Sequence, residues 1–151
     1  MAARAARGVS LIEVLVVVAL VAAIAAGLAA TLGGGMAGLQ LRGTAREMAA
    51  QIRHTRGLAI VRGEPQFFEI DVAERRWTAP DGKGGTLPRA LELRVLSAAE
   101  EQVEDDVARI RFFPDGSSSG GVVRLRRDQA EWRIDIAWLT GEVRVRRGEA
   151  P

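Results

Sequence analysis

One long stretch near the N-terminus carries a single charged residue. Residues 9–30 are apolar or small apart from Glu13, and the next charged residue after Glu13 is Arg42. The uncharged stretch 14–41 exceeds the roughly 20 residues that cross a hydrocarbon core as a helix, which predicts a transmembrane helix. A carboxylate in such a stretch costs roughly 2.5–3.5 kcal/mol on insertion scales, so a simple anchor would avoid it. We therefore expect Glu13 to have a partner.

Flanking charges predict which way this segment faces. Arg4 and Arg7 precede the apolar run, and positive residues next to a span tend to stay on the cytoplasmic side. The C-terminal part of the chain should then face the periplasm of a bacterium. The chain has no cysteine, so redox chemistry excludes neither compartment. An alternative is a secretory signal peptide cut near Ala23-Ile24-Ala25, but Glu13 and the continued apolar run argue against it.

A motif spans the junction between the basic start and the apolar run, and it reads Arg7-Gly8-Val9-Ser10-Leu11-Ile12-Glu13-Val14-Leu15. It resembles the class III leader of type IV pilins and pseudopilins, in which a prepilin peptidase cleaves after the glycine and methylates the new N-terminus. The resemblance implies cleavage between Gly8 and Val9, N-methylation of Val9, and an assembly role for Glu13. Val9 stands where the family usually has phenylalanine, and the helix-kinking proline of major pilins is missing.

The residues themselves supply a physical reason for such an arrangement. A new α-amino group and the Glu13 carboxylate, both in apolar surroundings, relieve each other's desolvation cost if helices of adjacent subunits align them. A membrane-anchored protein unrelated to filaments remains a further alternative, but an anchor alone has no use for that carboxylate.

The chain beyond the apolar run is predicted to form an amphipathic helix. Gly33, Gly34 and Gly35 each cost a helix roughly 0.8–1 kcal/mol relative to alanine, which indicates either a hinge or the end of the spanning helix. A second helical segment should start near Thr44 and end by residues 62–65, where a glycine and a proline disfavour continuation. Its apolar positions recur at helical spacing: Ala45, Met48, Ala49, Ile52 and Ala59.

Alternating apolar and polar residues after this helix predict a β-rich head. Strands are expected at residues 67–72, 77–79, 90–96, 108–113, 122–127, 131–138 and 142–147, with loops at 80–85 and 114–121. The prediction is an α+β, pilin-like fold in which a long N-terminal helix packs on an antiparallel sheet. The expected parts are a leader peptide at 1–8, a transmembrane helix at 9–35, an amphipathic continuation of the N-terminal helix at 36–63, and a periplasmic β-rich head at 64–151.

Enzyme chemistry has little support in the composition. The chain has one histidine, His54, which we interpret as a helix-flank residue, and it has no cysteine. The serine-rich loop 114–121 matches neither a phosphate-binding loop nor a nucleophile elbow. We therefore expect no enzyme, no cofactor and no catalytic or metal site. A calcium site is the alternative for an acidic cluster, which we interpret as a solvated loop: Glu100, Glu101, Glu104, Asp105 and Asp106.

The C-terminal region carries a second resemblance, on residues 112–125, 132–136 and 139–143. It is similar to GspH/FimT-type minor pseudopilins. The resemblance implies a minor component of the type II secretion pseudopilus, located at or near the tip of a periplasmic filament that helps to export folded proteins across the outer membrane. The implied partners are other major and minor pseudopilins, the prepilin peptidase and the inner-membrane assembly platform, with the secretin or secreted cargo as further candidates.

Arginines spaced two apart give the competing hypothesis. Each pair projects from one strand face, with apolar residues on the other, so the pairs could form a basic stripe. Some relatives in this subgroup are type IV minor pilins that bind DNA for uptake, although alternating charge also keeps an outer sheet face in water. We expect Trp132 and Trp138, which lie on one face of an unbroken strand, in the core. The candidate basic face consists of Arg109, Arg111, Arg124, Arg126, Arg144 and Arg146.

Overall fold

The computed structural model contains one long helix and nine strands among the residues that it describes. These are residues 10–97, 102–104 and 106–148, of which 28–36, 97 and 102–104 are described by backbone alone. Helix α1 extends over Leu11–Arg62. Two compact units divide the chain after Ala37. The first unit holds the start of α1, and the second holds the remainder of α1 together with all nine strands.

Helix α1 continues through Gly33, Gly34 and Gly35, so the interpretation that the helix ends there is wrong. The same continuity corrects the predicted start of a separate helix near Thr44. The predicted end is confirmed, because α1 stops at Arg62 and the amide of Gly63 donates to the Ala59 carbonyl at 3.1 Å. Gly63 has a φ of +67°, a left-handed conformation that glycine adopts without steric cost at helix ends.

The second half of α1 buries one face completely. Side chains at spacings of three, four and seven residues lie on one side of an α-helix, so they can contact a single neighbouring layer. The residues predicted from this spacing are indeed all inaccessible to solvent, and Leu41 extends the face by one further turn. Its apolar members are Leu41, Ala45, Met48, Ala49, Ile52 and Ala59.

Five strands form an antiparallel sheet in the order β3-β2-β1-β6-β5. Strand β1 alternates as predicted, with Phe68 and Ile70 fully buried and Phe67 and Glu69 on the opposite face. The Phe68 ring stacks on Trp77 of the neighbouring strand at 5.6 Å. The strands are β1 (Gln66–Asp71), β2 (Arg76–Thr78), β3 (Gly84–Thr86), β5 (Gln102–Glu104) and β6 (Val107–Phe112).

A second antiparallel sheet has four strands in the order β4-β7-β8-β9, where the sequence predicted one sheet. Its inner face contributes Leu93, Val123, Leu125, Ile134 and Ile136 to the same buried cluster as α1 and the five-stranded sheet. The head therefore has a single core between one helix and two sheets. The strands are β4 (Glu92–Ser97), β7 (Gly121–Arg127), β8 (Ala130–Ile136) and β9 (Val143–Gly148).

Two sequence-based assignments in the head are wrong. The segment 80–85 contains a short 3-10 turn and the start of β3 instead of a simple loop. Strand β8 ends at Ile136, two residues short of Trp138, which lies in a turn with 69% of its surface exposed. Trp132 does pack against the core, half-buried. The two tryptophans are therefore not on one strand face.

Candidate assembly site

The first turn of α1 carries the carboxylate that the sequence singled out. The amides of Glu13 and Val14 donate to the Ser10 carbonyl at 3.0 and 3.3 Å, which closes the first turn. A negative charge there is favoured by the positive end of the helix dipole. Within the residues that the structure describes, the Glu13 side chain has no hydrogen bond or ion pair. Gly8 and Val9, the residues of the predicted cleavage site, lie outside the described residues.

Apolar side chains surround Glu13 on every side of the helix. Each residue from 10 to 27 is exposed, and successive residues are 100° apart, so the exposed surface covers the whole circumference. A helix that is apolar all round normally occurs where other apolar groups cover it. The described part of α1 contains no segment that meets the combined length and hydropathy required to cross a membrane. The large side chains are Leu11, Ile12, Val14, Leu15, Val16, Val17, Val18, Leu20, Val21 and Ile24.

Two arginines of α1 form hydrogen bonds to backbone carbonyls of the head. Arg53 donates from Nη2 to the Val143 carbonyl at 2.9 Å, and Arg56 donates from Nε to the Gly116 carbonyl at 2.9 Å. Gly141 packs against this contact so closely that a Cβ there would be 2.2 Å from the Gly116 oxygen. The sequence showed these arginines only as polar positions of an amphipathic helix, because their carbonyl partners are 60 or more residues away.

The serine-rich loop is held by its own side chains. Asp115 accepts hydrogen bonds from the Ser117 hydroxyl at 2.6 Å and from the Ser117 amide at 2.9 Å. These bonds hold the pKa of the Asp115 carboxyl below its ordinary value, since they stabilise the ionised form. The buried Ser118 hydroxyl donates to the Ala137 carbonyl at 3.0 Å and accepts from the Gly120 amide at 3.0 Å. The hydroxyls of Ser117 and Ser118 therefore shape the loop.

The sequence also singled out His54 and an acidic cluster. His54 is half-buried on α1, with its Nε2 3.4 Å from the Lys83 ammonium nitrogen. Among the residues that the structure describes, no three metal-ligating side chains come together. Of the acidic cluster, Glu100, Glu101 and Asp105 lie outside the described residues, so the calcium alternative is untested.

The six arginines predicted as a basic face belong to two different sheets. Arg109 and Arg111 lie on the outer face of the five-stranded sheet, over the ring of Phe67 at 5.0 and 5.3 Å. Arg109 also donates from Nε to the Glu69 carboxylate at 2.9 Å. The other four arginines, Arg124, Arg126, Arg144 and Arg146, lie on β7 and β9 of the four-stranded sheet. The structure therefore does not form one stripe from all six.

Strand register on the four-stranded sheet aligns arginines that the sequence could not connect. Arg94 of β4 is opposite Arg124 of β7, Arg124 is opposite Arg133 of β8, and Arg133 is opposite Arg146 of β9. We refer to these four residues as the arginine row. Arg94 and Arg133 were missed because each is a single arginine on its strand. Each lies between two inward-facing apolar residues, and this alternation could have placed both arginines on the outer face of the sheet.

Two members of the arginine row lie close to the same carboxylate on their own sheet. Asp135 accepts from Arg133 Nε at 2.5 Å and lies 3.9 Å from Arg146 Nε. Arg144 donates to both oxygens of Glu142 at 2.8 and 2.7 Å. This bidentate contact holds the pKa of the Glu142 carboxyl below its ordinary value.

Known proteins with similar sequences or structures agree with both sequence resemblances. A family model described as Type II transport protein GspH matches residues 44–140, and one described as Prokaryotic N-terminal methylation motif matches residues 3–29. Type II secretion system protein H of Xanthomonas campestris pv. campestris is 48% identical over 141 residues, which cover 93% of this chain and 83% of that protein.

Solved structures agree on the fold. The minor pseudopilin EpsH from the type 2 secretion system of Vibrio cholerae superposes with a TM-score of 0.57 at 17% identity, covering 72% of this chain and 97% of that one. The type IV minor pilin FimU of Pseudomonas aeruginosa gives a TM-score of 0.55 at 10% identity, covering 73% and 93%. The predicted pilin-like fold is confirmed. The chain belongs to the GspH family of type II transport proteins, a family of structural pseudopilins.

Proposed function

We propose that this chain is a minor pseudopilin of the type II secretion pseudopilus, assembling at or near the filament tip to help export folded proteins across the outer membrane. The observation that carries the proposal is the construction of α1. An exposed apolar half with one carboxylate continues into a half whose apolar face is buried in a complete head. This construction serves a subunit that stores its helix in one apolar environment and then moves it into another, the core of a helical filament.

Glu13 has a specific part in this proposal. Cleavage after Gly8 creates an α-amino group on Val9, which is then methylated and keeps its positive charge. In the filament core this amine pairs with the Glu13 carboxylate of an adjacent subunit and offsets the cost of leaving water. Only one axial alignment of neighbouring helices satisfies both charges, so the pair selects the register of assembly.

The location before assembly follows from the family and the leader. The methylation motif and the family indicate a membrane-anchored periplasmic protein. We propose in addition a single pass through the inner membrane by residues 9–35, with Arg4 and Arg7 on the cytoplasmic side and the head in the periplasm. On this proposal residues 1–8 are removed, and residues 36–63 continue the helix into the head at 64–151.

Assembly with other pseudopilins follows from a pseudopilin's role. We propose that the prepilin peptidase and the inner-membrane assembly platform act on this chain before and during assembly, and that the secretin or secreted cargo meets its head. The likeness to FimU is at 10% identity and shows the fold alone. No observation on the described residues favours a type IV pilus with DNA uptake over this role.

A substitution at Glu13 tests the pairing. Glu13→Leu should leave membrane insertion and leader cleavage intact and abolish incorporation into the pseudopilus, because the α-amino group then has no carboxylate to pair with. Insertion is measured by membrane fractionation, cleavage by mass spectrometry, and incorporation by immunoblotting of sheared or crosslinked filaments. Glu47→Leu is the matched control, since Glu47 is an exposed carboxylate on the same helix. Normal amounts of the Glu13 variant in filaments would refute the pairing.

A clean deletion of the gene in its host tests the assignment to a secretion system. Secreted enzymes should accumulate in the periplasm while DNA uptake and twitching motility stay normal. Normal secretion combined with lost uptake or motility would move the protein to a type IV pilus and contradict the proposal.

A further inference from the structure

The outer face of the four-stranded sheet combines strong positive charge with unpaired cations. Its three cross-strand rows present six arginines against three carboxylates. The arginine row, Arg94, Arg124, Arg133 and Arg146, forms the centre. One flanking row holds Glu92, Arg126 and Glu131, and the other holds Leu96, Val122, Asp135 and Arg144.

Two neighbouring members of the arginine row have no carboxylate partner among the described residues. Arg94 and Arg124 are directly opposite on β4 and β7, and neither forms an ion pair within the described part of the chain. The Nε atom of Arg124 is buried and has no hydrogen-bond partner there. Like charges directly opposite destabilise a sheet, and a buried donor without an acceptor costs further free energy. An incoming carboxylate that pairs with the outer nitrogens of the two guanidiniums would relieve the repulsion between them.

We propose that the arginine row binds an acidic helix face of a partner protein. Neighbouring strands are about 4.8 Å apart, and the Cβ atoms of residues three or four apart on a helix are about 5–6 Å apart. A helix lying across the strands can therefore present successive carboxylates along the row. Arg94 and Arg124 are its main contacts, because Arg133 and Arg146 already lie near Asp135. Guanidinium and carboxylate form bidentate hydrogen bonds, which makes arginine the residue suited to such contacts.

Composition of the flanking rows favours a protein over a nucleic acid. Glu92, Glu131 and Asp135 lie on both sides of the arginine row and would repel a polyanion, whereas a protein surface can place cations opposite them. Leu96, exposed over 58% of its surface, adds an apolar contact next to the row, as in the mixed surfaces where proteins meet. The described residues of these three rows include no aromatic side chain on which bases could stack.

The proposal deepens the assigned role by naming the chemistry of a partner, and it rests on that role for the setting in which the head meets other proteins. Its test does not depend on filament assembly or secretion, because it uses the purified full chain in a non-ionic detergent. The probe is a labelled alanine-rich helical peptide with glutamates four residues apart along one face. The control peptide has glutamine at the same positions. Binding is measured by fluorescence anisotropy at low and physiological salt.

The glutamate peptide should bind at least about fivefold more tightly than the glutamine peptide, and the double variant Arg94→Gln/Arg124→Gln should remove that difference. The matched control is Arg76→Gln/Arg89→Gln, which removes the same charge at two exposed arginines outside this face and should leave binding unchanged. Tryptophan fluorescence on heating verifies that each variant is folded.

Two outcomes would overturn the proposal. One is equal peptide binding by the row variant and the control variant. The other is tighter binding of a duplex oligonucleotide than of the glutamate peptide, lost on substitution of the row, which would assign the face to nucleic acid. Because the assay contains only the purified chain and the peptide, either failure leaves the secretion role to be judged by the gene deletion.

Discussion

The two halves of α1 are built from similar apolar residues but differ in what covers them. In the first half, residues 11–27 are exposed on every side, and Ile24 keeps 56% of its surface accessible. In the second half, Ile52 is completely buried together with the other residues of its face. One stable head therefore needs only the second half. The first half needs an apolar environment outside the chain. Such a need is expected of a subunit that assembles with others.

A matched pair of substitutions should separate the two halves with the largest effect. Ile52→Ala should lower the free energy of unfolding of the head by about 2–5 kcal/mol, because it removes buried methylenes and leaves a cavity. Ile24→Ala should leave that free energy unchanged. All three tryptophans are at position 77 or beyond, so denaturant unfolding of the full chain in detergent, followed by their fluorescence, reports the head alone. Equal destabilisation by both substitutions would contradict the comparison.

A smaller effect is expected where the second half makes polar contacts. Arg56→Ala should destabilise the head by about 1–3 kcal/mol, because the part-buried Gly116 carbonyl loses its donor. Arg46→Ala, at an exposed arginine of the same helix, is the control and should have little effect. The same fluorescence measurement applies. If both arginines proved equally dispensable, the contact to Gly116 would contribute nothing to holding the helix on the head.

The smallest effect concerns the end of α1. Arg62 donates to Asp81 at 2.5 Å, and this hydrogen bond and charge hold the pKa of the Asp81 carboxyl below its ordinary value of 3.8. A lowered folded pKa stabilises the head at pH values above 3.8, and that contribution is lost as the pH falls through the folded pKa. Both groups are well exposed to solvent, so screening keeps the effect modest.

Asp81→Asn should therefore slightly lower Tm at neutral pH, by less than the Arg56 substitution does, and the difference from the unsubstituted chain should vanish in acid. Asp128→Asn is the control, since Asp128 shares the positive φ of Asp81, a conformation that asparagine also tolerates. Melting curves from pH 2 to pH 8 make the comparison. A drop in Tm that persisted unchanged at the acid end would exclude the ion pair as its cause.

Sequence periodicity predicted most of the fold because the head obeys simple alternation. Strand β1 and the buried face of α1 follow from spacing, since every second strand residue or every third to fourth helix residue faces the core. Strands β3 and β5 did not follow. Each has three residues, and Gly84 and Gly85 have low strand propensity. These short strands form because they pair with a neighbouring strand, although their local sequence disfavours a strand. The exposed position of Trp138 depends on where β8 ends.

The candidate site also has one part that the sequence could predict and one that it could not. The motif that contains Gly8, Val9 and Glu13 could be recognised because its residues lie close together in the sequence, whereas the arginine row depends on strand order. Arg94 and Arg124 are neighbours only because β4 pairs with β7, and no local pattern shows that two strands with β5 and β6 between them in the sequence are adjacent. Register between distant strands is thus the information that the sequence did not supply.

The contacts of Arg53 and Arg56 have a mechanical consequence. Any force that is applied to α1 enters the head along this helix. The two guanidiniums donate to the carbonyls of Val143 and Gly116. Both arginines lie on α1 next to its buried apolar face, so sliding the helix along its axis must break the apolar contacts and both hydrogen bonds together. Forced unfolding is governed by the unfolding barrier. We therefore expect the head to resist a pull along its helix better than its overall stability alone would indicate.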